Sequence, residues 1–425
     1  MCRFDSDVLI VGGGPAGLAT ALALAQRDFR CLVFERQSWP VDKACGEGLM
    51  ANGVEALGEL GLQSQLATAT HSLFQGISFV DGRRVMRADF PALKLGRGVR
   101  RTELSRMLYA ACVAHPRIQL RARHRLMGVV PAAEKCEVTF KNPCGEGNAS
   151  GRWLVAADGI HSSVSRILGL ESKRLPWGRK GCRQHFAIRP WSRDVQVFWQ
   201  DGFEVYVTPV SAQMIQVAIL SNEQAWQQNF SRHSLQAWFQ DIPLLRERIL
   251  PCDSTSPLLA HGPLGIYRMQ PPDPWPITFV GDSYCFWDGV TGEGVSLALH
   301  QGLVFARAFH KLMRQTPSWD MDLRKYRLQS LQIDMRTSLV PYLFVTGFAM
   351  TLARFPCWRQ SVLTLFHACP SLLARVLAWN IGLGWPKLLA QMYRAIHKSL
   401  AYAWVWVRRT KGALHRSVVR LCSMP

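Results

Sequence analysis

The sequence predicts an α/β fold into which a second, mainly antiparallel β-sheet is inserted, with a helical, basic and apolar C-terminal region. Three observations predict this arrangement. A strand, a glycine-rich turn and a helix follow one another at the N-terminus, and short strands rich in Val, Phe, Trp and Tyr begin near residue 173. An apolar strand at 276–280 then returns the chain to the first domain. We therefore predict four segments: 1–172 and 271–334 in the first domain, 173–270 in the inserted sheet, and 335–425 in the helical region.

The first strand and helix enclose the turn around which the first domain is built. Asp7 to Val11 is a strand-length apolar run, and good helix formers follow the turn from Leu18 to Gln26. Gly12 permits a tight turn, Gly14 lets backbone N–H groups approach a pyrophosphate, and Gly17 lets helix and strand pack closely. The helix N-terminus adds a partial positive charge. This G-x-G-x-x-G context predicts a dinucleotide site at Gly12, Gly14, Ala16 and Gly17.

A second strand, from Arg30 to Phe34, ends at Glu35 and Arg36. A carboxylate at this strand end is placed to accept hydrogen bonds from a ribose hydroxyl. We therefore add Glu35 and Arg36 to the predicted nucleotide site.

The remaining elements before residue 172 follow from local patterns. Asp81-Gly82 predicts the turn of a hairpin, and Thr102 is a candidate N-cap for a helix that follows Arg100. We expect a glycine-containing loop at 142–151 and a buried strand from Trp153 to Ala157. The other predicted elements are a loop at 42–49, a helix at 52–60, and strands at 118–121 and 136–140.

The inserted sheet is predicted from three short strands at 195–199, 204–210 and 214–220. After them, the strand at 276–280 leads to Gly281-Asp282, and the last ninety or so residues are apolar and helical. The 425 residues supply ample core, and an apolar fraction of 48% argues against disorder. The twelve cysteines form no C-x-x-C pair, which indicates a reduced, cytoplasmic protein without a zinc site.

Three separated stretches resemble the superfamily of FAD-dependent monooxygenases and geranylgeranyl reductases. They are Gly12 to Gly17 with Glu35, Ala157-Asp158-Gly159 with Ser162, and Gly281-Asp282 with Thr291-Gly292-Glu293-Gly294. Their order and spacing cover residues 5 to 305. The resemblance implies a Rossmann-like FAD-binding domain, interrupted by an antiparallel-sheet substrate domain that covers the flavin.

The resemblance also implies roles for single residues. Asp282, after Gly281, is placed to bind the ribityl hydroxyls of FAD. Gly292 and Gly294 open a helix whose N–H groups and dipole would face the flavin edge that gains negative charge on reduction. Arg101 matches an arginine that contacts FAD. Asp158 matches an Asp-Gly motif that braces the cofactor.

The electron donor is expected to be NAD(P)H, which in this superfamily visits the flavin transiently. No second G-x-G-x-x-G follows a strand, so no dedicated nicotinamide domain is predicted. The motif after Asp158 departs from the superfamily, because Ser165 stands where an arginine is usual and Arg166 comes one position late. A separate reductase or a quinol is the alternative donor.

The loop Lys43-Ala44-Cys45-Gly46-Glu47-Gly48-Leu49 resembles the K-x-C-G-x-G-L stretch of prenyl reductases, which implies a place near the flavin ring. Cys45 is then a small packing residue or an active-site group. Glu47 is a proton donor or a helix-start carboxylate.

Two reactions compete at such a site: oxygen insertion, and hydride delivery to a carbon–carbon double bond. The stretch Glu204 to Pro209 lacks the Y-x-W-x-F-P motif of the reductases. We therefore expect hydroxylation or a related oxidation. The apolar, basic C-terminal region predicts that its substrate is lipophilic, such as a quinone, an alkyl phenol or a polyketide-derived ring. The alternatives are a reductase of isoprenoid double bonds and a non-catalytic, flavin-bound membrane protein.

The C-terminal region decides the expected location. Lys and Arg number 50 against 30 Asp and Glu, for a net charge of +20, and no acidic residue follows Asp334. Because the basic residues alternate with Trp, Leu and Phe, an anionic membrane surface is favoured over nucleic acid. Neither 337–353 nor 360–374 is long and clean enough to span a bilayer. We expect a cytoplasmic, peripherally membrane-associated protein. The alternative is that these helices cover the active site or form a dimer interface; the sequence predicts no oligomeric state.

Overall fold

The computed structural model describes residues 4–82, 84–91, 94–132, 135–170, 172–231, 234–269, 275–314 and 321–383. The part of the predicted helical region 335–425 that follows residue 383 lies outside these residues. Eleven α-helices are described: α1 Pro15–Ala25, α2 Ala51–Glu59, α3 Gln63–Thr68, α4 Arg101–Ala114, α5 Ser163–Ile167, α6 Glu223–Asn229, α7 Pro243–Arg248, α8 Gly294–Arg314, α9 Met321–Arg354, α10 Pro356–Ala368 and α11 Pro370–Asn380.

The first sheet is the predicted dinucleotide-binding core. Its strands are β1 Ser6–Val11, β2 Cys31–Phe34, β8 Ile118–Arg121, β9 Arg125–Pro131, β10 Cys136–Asn142, β11 Gly145–Ala156 and β17 Ile277–Phe279. The order is β8-β2-β1-β11-β10-β9, and β17 also pairs with β11. Strand β1 runs parallel to β2 and β11, and β17 joins β11 in parallel. The predicted return of the chain at 276–280 is thereby confirmed.

The second sheet contains the predicted strands and some from outside 173–270. Its strands are β5 Gly76–Asp81, β6 Arg84–Asp89, β12 Ser172–Phe186, β13 Val195–Gln200, β14 Phe203–Ser211, β15 Met214–Ser221, β16 Leu259–Met269 and β18 Cys285–Phe286. The order is β18-β16-β12-β15-β14-β13-β5-β6, antiparallel except between β13 and β5. A small third sheet joins β3 Gly48–Leu49, β4 His71–Phe74 and β7 Gly96–Val99 in the order β3-β7-β4.

Apolar patterning explains how the layers pack. Every residue of α1 is buried, as expected of an Ala- and Leu-rich helix that lies between the first sheet and α8. Strand β13 alternates: Val195, Val197 and Trp199 face the core shared with α10 and α11, whereas Phe198 faces a separate core on the other side. Both faces of the second sheet are therefore covered.

Two local predictions were wrong. Helix α4 begins at Arg101, and Arg100 rather than Thr102 is the N-cap, because strand β7 ends at Val99 and leaves only Arg100 extended before the helix. Residues 142–151 are not a loop but the tip and arm of a hairpin. Asn142 pairs with Gly145 across the turn, and the small residues that follow pair along β10. Pairing between strands uses backbone hydrogen bonds and needs no large side chains. The small residues of this strand therefore have a composition that is typical of a loop.

Among the described residues, no single helix is long and apolar enough to cross a membrane. Two segments, 329–354 and Pro356–Ala368, are long and apolar enough to cross a membrane only when they are taken together, and the chain bends by 119° at the break between them.

Candidate functional site

The predicted phosphate turn has the geometry that its glycines require. Gly12 has a φ of +108°, and a Cβ there would collide with the carbonyl group of Ala157. A Cβ on Gly17 would collide with the carbonyl oxygen of Gly12. In front of Gly14 the space is open, because its nearest neighbour is the Arg101 guanidinium, 3.7 Å from the Cβ position. The turn therefore presents bare backbone to a ligand.

Glu35 fixes this turn from behind. Its Oε2 accepts a hydrogen bond from the Gly13 N–H at 2.7 Å, and its Oε1 accepts from the Gln37 N–H at 3.0 Å. The carboxylate is buried, whereas Arg36 beside it is exposed. Glu35 thus lies at the predicted place, where it also shapes the turn.

The two distant parts of the first domain meet at Ala16. The Cβ of Ala16 is 2.7 Å from the Cβ position of Gly281, which has a φ of +64°, so only a glycine fits opposite Ala16. Beyond it, Asp282 forms an ion pair with Lys43 at 3.5 Å. Asp282 therefore lies beside the loop that carries Cys45 and Glu47.

Two predicted residues have buried side-chain atoms without a partner among the described residues. Arg101 is 7% exposed, and its Nε has no hydrogen-bond acceptor. The Oδ2 of Asp158 accepts from the N–H and hydroxyl of Ser163 and from the Val164 N–H, which anchors α5, while Oδ1 has no donor. Asp158 therefore anchors the start of α5 with one oxygen and leaves the other without a donor among the described residues, while its expected contact with the cofactor stays a prediction.

The loop 42–48 is held by four polar side chains of the second sheet, which sequence reasoning missed. We call these four residues the clamp: Arg183, His185, Thr208 and Gln216. Two of them bind side chains of the loop: Arg183 donates to Asp42 Oδ1 at 2.6 Å, and His185 Nε2 lies 2.7 Å from Glu47 Oε2. The other two bind its backbone: Gln216 Nε2 donates to Cys45 O at 2.7 Å, and Thr208 Oγ1 donates to Gly46 O at 2.9 Å. All four are almost fully buried. The available signal was the presence of Thr208 and Gln216 within largely apolar strands, whereas Arg183 and His185 lie in a strand that is rich in polar residues and gave no such signal.

Glu47 is buried and has both oxygens occupied. Its Oε1 accepts from the Arg101 N–H at 2.9 Å, and its Oε2 faces His185. An Arg183 N–H lies 3.3 Å from His185 Nδ1 and can only donate, so the hydrogen of His185 is assigned to Nε2 and points at Glu47. Glu47 also has a φ of +55°. The observed geometry is that of a residue that holds the loop in place.

Cys45 is the loop's other candidate for chemistry, and its side chain is partly buried. Burial raises the pKa of the Cys45 thiol, and the nearby Arg101 only partly opposes this rise. The Cys45 Sγ accepts a hydrogen bond from the Glu47 N–H at 3.3 Å. The thiol is therefore mostly protonated at neutral pH, which suits a packing residue better than a nucleophile.

Two further titratable residues lie nearby and were not predicted. Burial raises the pKa of Glu293 to about 8, although Asn52 donates a hydrogen bond to its Oε2 at 3.1 Å. Burial, followed by the charges of Lys43 and His161, lowers the pKa of His261 to about 4. In the sequence, Glu293 lies between two glycines of the motif, and nothing in the motif indicated that its carboxyl group is buried.

A large apolar cavity opens beside these groups. Together with the solvent-filled space at its mouth, the cavity has an empty volume of about 1010 Å³. Its floor comes from β5, β13 and β14, its roof from α9, α10 and α11, and one side is formed by Gly46, Gly48, Thr291 and Gly292. The described C-terminal helices thus cover a cavity that reaches the glycines predicted to face the flavin.

These features fit an extended flavin dinucleotide. Gly14 and Gly294 offer backbone with open space before it, since no atom lies within 4 Å of the Cβ position of Gly294. The unpaired, buried Arg101 Nε is suited to an anionic phosphate group. Gly294 begins α8, whose N-terminus favours negative charge. The residues present are therefore compatible with FAD.

Comparison with characterised proteins gives partial matches. The 3-(3-hydroxy-phenyl)propionate/3-hydroxycinnamic acid hydroxylase of Mycolicibacterium gilvum (strain PYR-GCK) is 27% identical over 172 residues, 39% of this chain and 30% of that protein. The menaquinone reductase of Mycobacterium tuberculosis (strain ATCC 25618 / H37Rv) is 31% identical over 170 residues, 39% of this chain and 40% of that protein. The chain thus matches less than half the length of these relatives.

The fold and the family are clear. The crystal structure of a flavoprotein/dehydrogenase from Cytophaga hutchinsonii superposes with a TM-score of 0.74, covering 93% of this chain and 98% of that one at 17% identity, which shows the shared fold. A family model described as "FAD binding domain" matches residues 5–236, more than half of the chain. The predicted superfamily is thereby confirmed, and this chain belongs to the family of FAD-binding domains.

Proposed function

We propose that this chain is an FAD-dependent monooxygenase that oxidises a lipophilic substrate. The observation that carries the proposal is the apolar cavity, because it reaches Gly46, Gly48 and Gly292, which are expected at the flavin ring. FAD would supply the redox chemistry, and the protein would supply orientation and a dry environment. The candidate substrates are a quinone, an alkyl phenol and a polyketide-derived ring.

Each part of the site has a defined task in this proposal. The Gly14 backbone and Arg101 would hold the pyrophosphate, and Asp282 would hold the ribityl hydroxyls. The clamp fixes the loop between the flavin and the second sheet. Helices α9 to α11 exclude water from the cavity, which strengthens the electrostatic interactions inside it.

The second candidate is an FAD-dependent reductase of isoprenoid double bonds. The loop 43–49, with its prenyl-reductase pattern, favours it. A similarity to a digeranylgeranylglycerophospholipid reductase of Methanopyrus kandleri, 29% identical over 43% of this chain, also supports it. A flavin-bound membrane protein without catalysis is the third candidate; the cavity and the glycines at its end would then have no use.

The electron donor in this proposal is NAD(P)H, with a partner reductase or a quinol as alternatives. The proposed location is the cytoplasmic face of a membrane. Exposed aromatic side chains support it, since Trp358 is 67% and Phe355 49% exposed on the elbow between α9 and α10. Arg354 lies at the same elbow, and no acidic residue follows Asp334.

The reaction is tested by following oxygen and product mass together. The purified, FAD-loaded chain is given NADPH and lipid extract with and without air. Oxygen-dependent formation of a product that has gained one oxygen atom supports the monooxygenase. Anaerobic formation of a product that has gained two hydrogen atoms favours the reductase. Absence of both, across several extracts, supports the non-catalytic alternative.

A further inference from the structure

The side chains that line the cavity are apolar apart from a few whose polar atoms are already used. Among the described lining residues, four of these bond to protein groups away from a ligand. Trp199 Nε1 donates to Glu204 at 2.8 Å, Tyr206 OH to Val290 O at 3.0 Å, Thr208 Oγ1 to Gly46 O at 2.9 Å, and Thr291 Oγ1 is 3.4 Å from Thr346 Oγ1. A ligand in the cavity therefore meets almost no free side-chain polar group.

Asn380, near the end of α11, is the exception. It lines the cavity and is 7% exposed. Its Nδ2 lies 3.4 Å from both Thr291 O and Glu293 Oε1. Because a backbone carbonyl can only accept, this pair of contacts orients the amide with its nitrogen toward Thr291. The Oδ1 is buried and has no donor among the described residues.

A buried acceptor without a donor costs free energy, and native structures nearly always pair it. The chain leaves this acceptor unpaired among the described residues, on a side chain that lines a mostly apolar cavity. Asn380 is also bonded to the backbone of Thr291, next to Gly292 at the end where the flavin ring is expected.

We propose that Asn380 is a specificity-determining residue whose Oδ1 accepts a hydrogen bond from a hydroxyl group of the substrate. The ligand class is an apolar molecule with one hydroxyl donor, namely a phenol, a quinol or an alcohol. A quinone or an ether offers only acceptors and cannot pair with Oδ1. The bond places the hydroxyl-bearing end of the ligand beside the loop at Thr291. This inference rests on the proposed lipophilic substrate and narrows it.

The test measures binding rather than turnover. The FAD-loaded, full-length chain is titrated by calorimetry with para-octylphenol and with para-octylanisole, its methyl ether, which lacks the hydroxyl donor. We expect the phenol to bind about tenfold more tightly, which corresponds to one good hydrogen bond to a buried acceptor. Equal affinity of the two ligands for the unmodified chain overturns the inference, and this comparison requires no variant.

Two variants locate the effect. Asn380→Leu should reduce the ratio of the two affinities to about one, because Leu is similar in size and offers no acceptor. Val376→Ala, at an apolar lining position, should weaken the binding of both ligands and preserve the ratio of their affinities. A preserved ratio in Asn380→Leu overturns the role of Asn380. Failure of both ligands to bind overturns this inference together with the proposed lipophilic substrate, whereas binding of both without preference overturns this inference alone.

Discussion

At the scale of single residues, motif positions differ in how strictly the backbone demands them. Gly12 combines a φ of +108° with a neighbouring carbonyl group, whereas Gly58 of α2 has no atom within 4 Å of its Cβ position. The sequence motif singles out Gly12, and the structure shows the contacts that make a glycine necessary there and not at Gly58. A matched pair of substitutions therefore measures what the nucleotide turn requires.

We expect Gly12→Ala to lower the free energy of unfolding by about 1–3 kcal/mol, because a strained φ and a steric clash are introduced together. The variant should also lose its flavin, seen as loss of yellow colour after purification. Gly58→Ala should raise the free energy of unfolding by about 0.5 kcal/mol and keep the flavin. Urea unfolding gives the first quantity and absorbance the second. A coloured Gly12→Ala protein of normal stability would contradict the assignment of this turn.

Glu293 gives a prediction about pH. Burial raises its pKa from 4.5 to about 8 in the folded chain, so between these values the folded state holds a proton that the unfolded state has lost. Stability attributable to Glu293 is therefore full below the unfolded value and falls as pH rises, by up to about 1.4 kcal/mol per pH unit.

Glu293→Gln cannot titrate at this position. Its stability relative to the unmodified chain should rise steadily from about pH 5 to pH 8. Urea unfolding of both proteins across this range measures the difference. A difference that does not change with pH would show that Glu293 is ionised in the folded protein.

At the scale of elements, strand register creates the clamp. His185 lies opposite Gln216, and Gln216 lies opposite Thr208, so three polar residues from β12, β15 and β14 form one row across the sheet. Arg183 joins the same face two residues before His185. The sequence shows each of these residues, but register alone places them in line with the loop 42–48.

We expect His185→Leu to lower the free energy of unfolding by about 3 kcal/mol, because the Glu47 carboxylate loses its partner in a buried site. The double variant Glu47→Leu/His185→Leu should recover much of this loss, since the buried carboxylate that lost its partner is removed as well. Lys180→Ala is the control: it breaks the Lys180–Glu223 ion pair at the surface, where little effect is expected. The single variant Glu47→Leu completes the cycle, and a double variant whose loss equals the sum of the two single losses would refute the coupling of Glu47 and His185.

At the scale of the whole molecule, helices α9 to α11 cover the cavity with one face and present aromatic residues on another. Phe366 and Leu377 line the cavity, whereas Trp358 at the elbow is exposed. The two interpretations of this region, as a cover or as a membrane contact, are therefore compatible, because they use different side chains. The first is observed for the described helices, and the second is our proposal.

The membrane proposal predicts that the full-length chain pellets with anionic phosphatidylserine vesicles at low salt and less so at high salt, because screening weakens electrostatic attraction. Trp358→Ala should bind these vesicles severalfold more weakly, since an aromatic anchor is lost. Its fold should be intact, because Trp358 is 67% exposed. Flavin absorbance verifies the fold. Failure of the unmodified chain to pellet would refute the proposal.

Much of the fold was predictable from local sequence. The strand, turn and helix from Asp7 to Gln26, the strands of the inserted sheet, and the return at 276–280 all depend on residues close together in the chain, as do the FAD motifs. The errors at Thr102 and at 142–151 arose where a neighbouring strand, rather than local preference, decided the outcome.

The sequence by itself therefore identified the family and the cofactor, because three separated motifs resemble those of FAD-dependent enzymes. It also placed the glycine turns, because short-range geometry encodes each turn. Only the tertiary structure decided which side chains face one another. In the folded chain both oxygens of Glu47 are occupied, the second sheet holds the loop 42–48, and Asn380, which lines the apolar cavity, has an Oδ1 without a donor among the described residues. Such features depend on register and on packing between segments far apart in the chain, which no local pattern records.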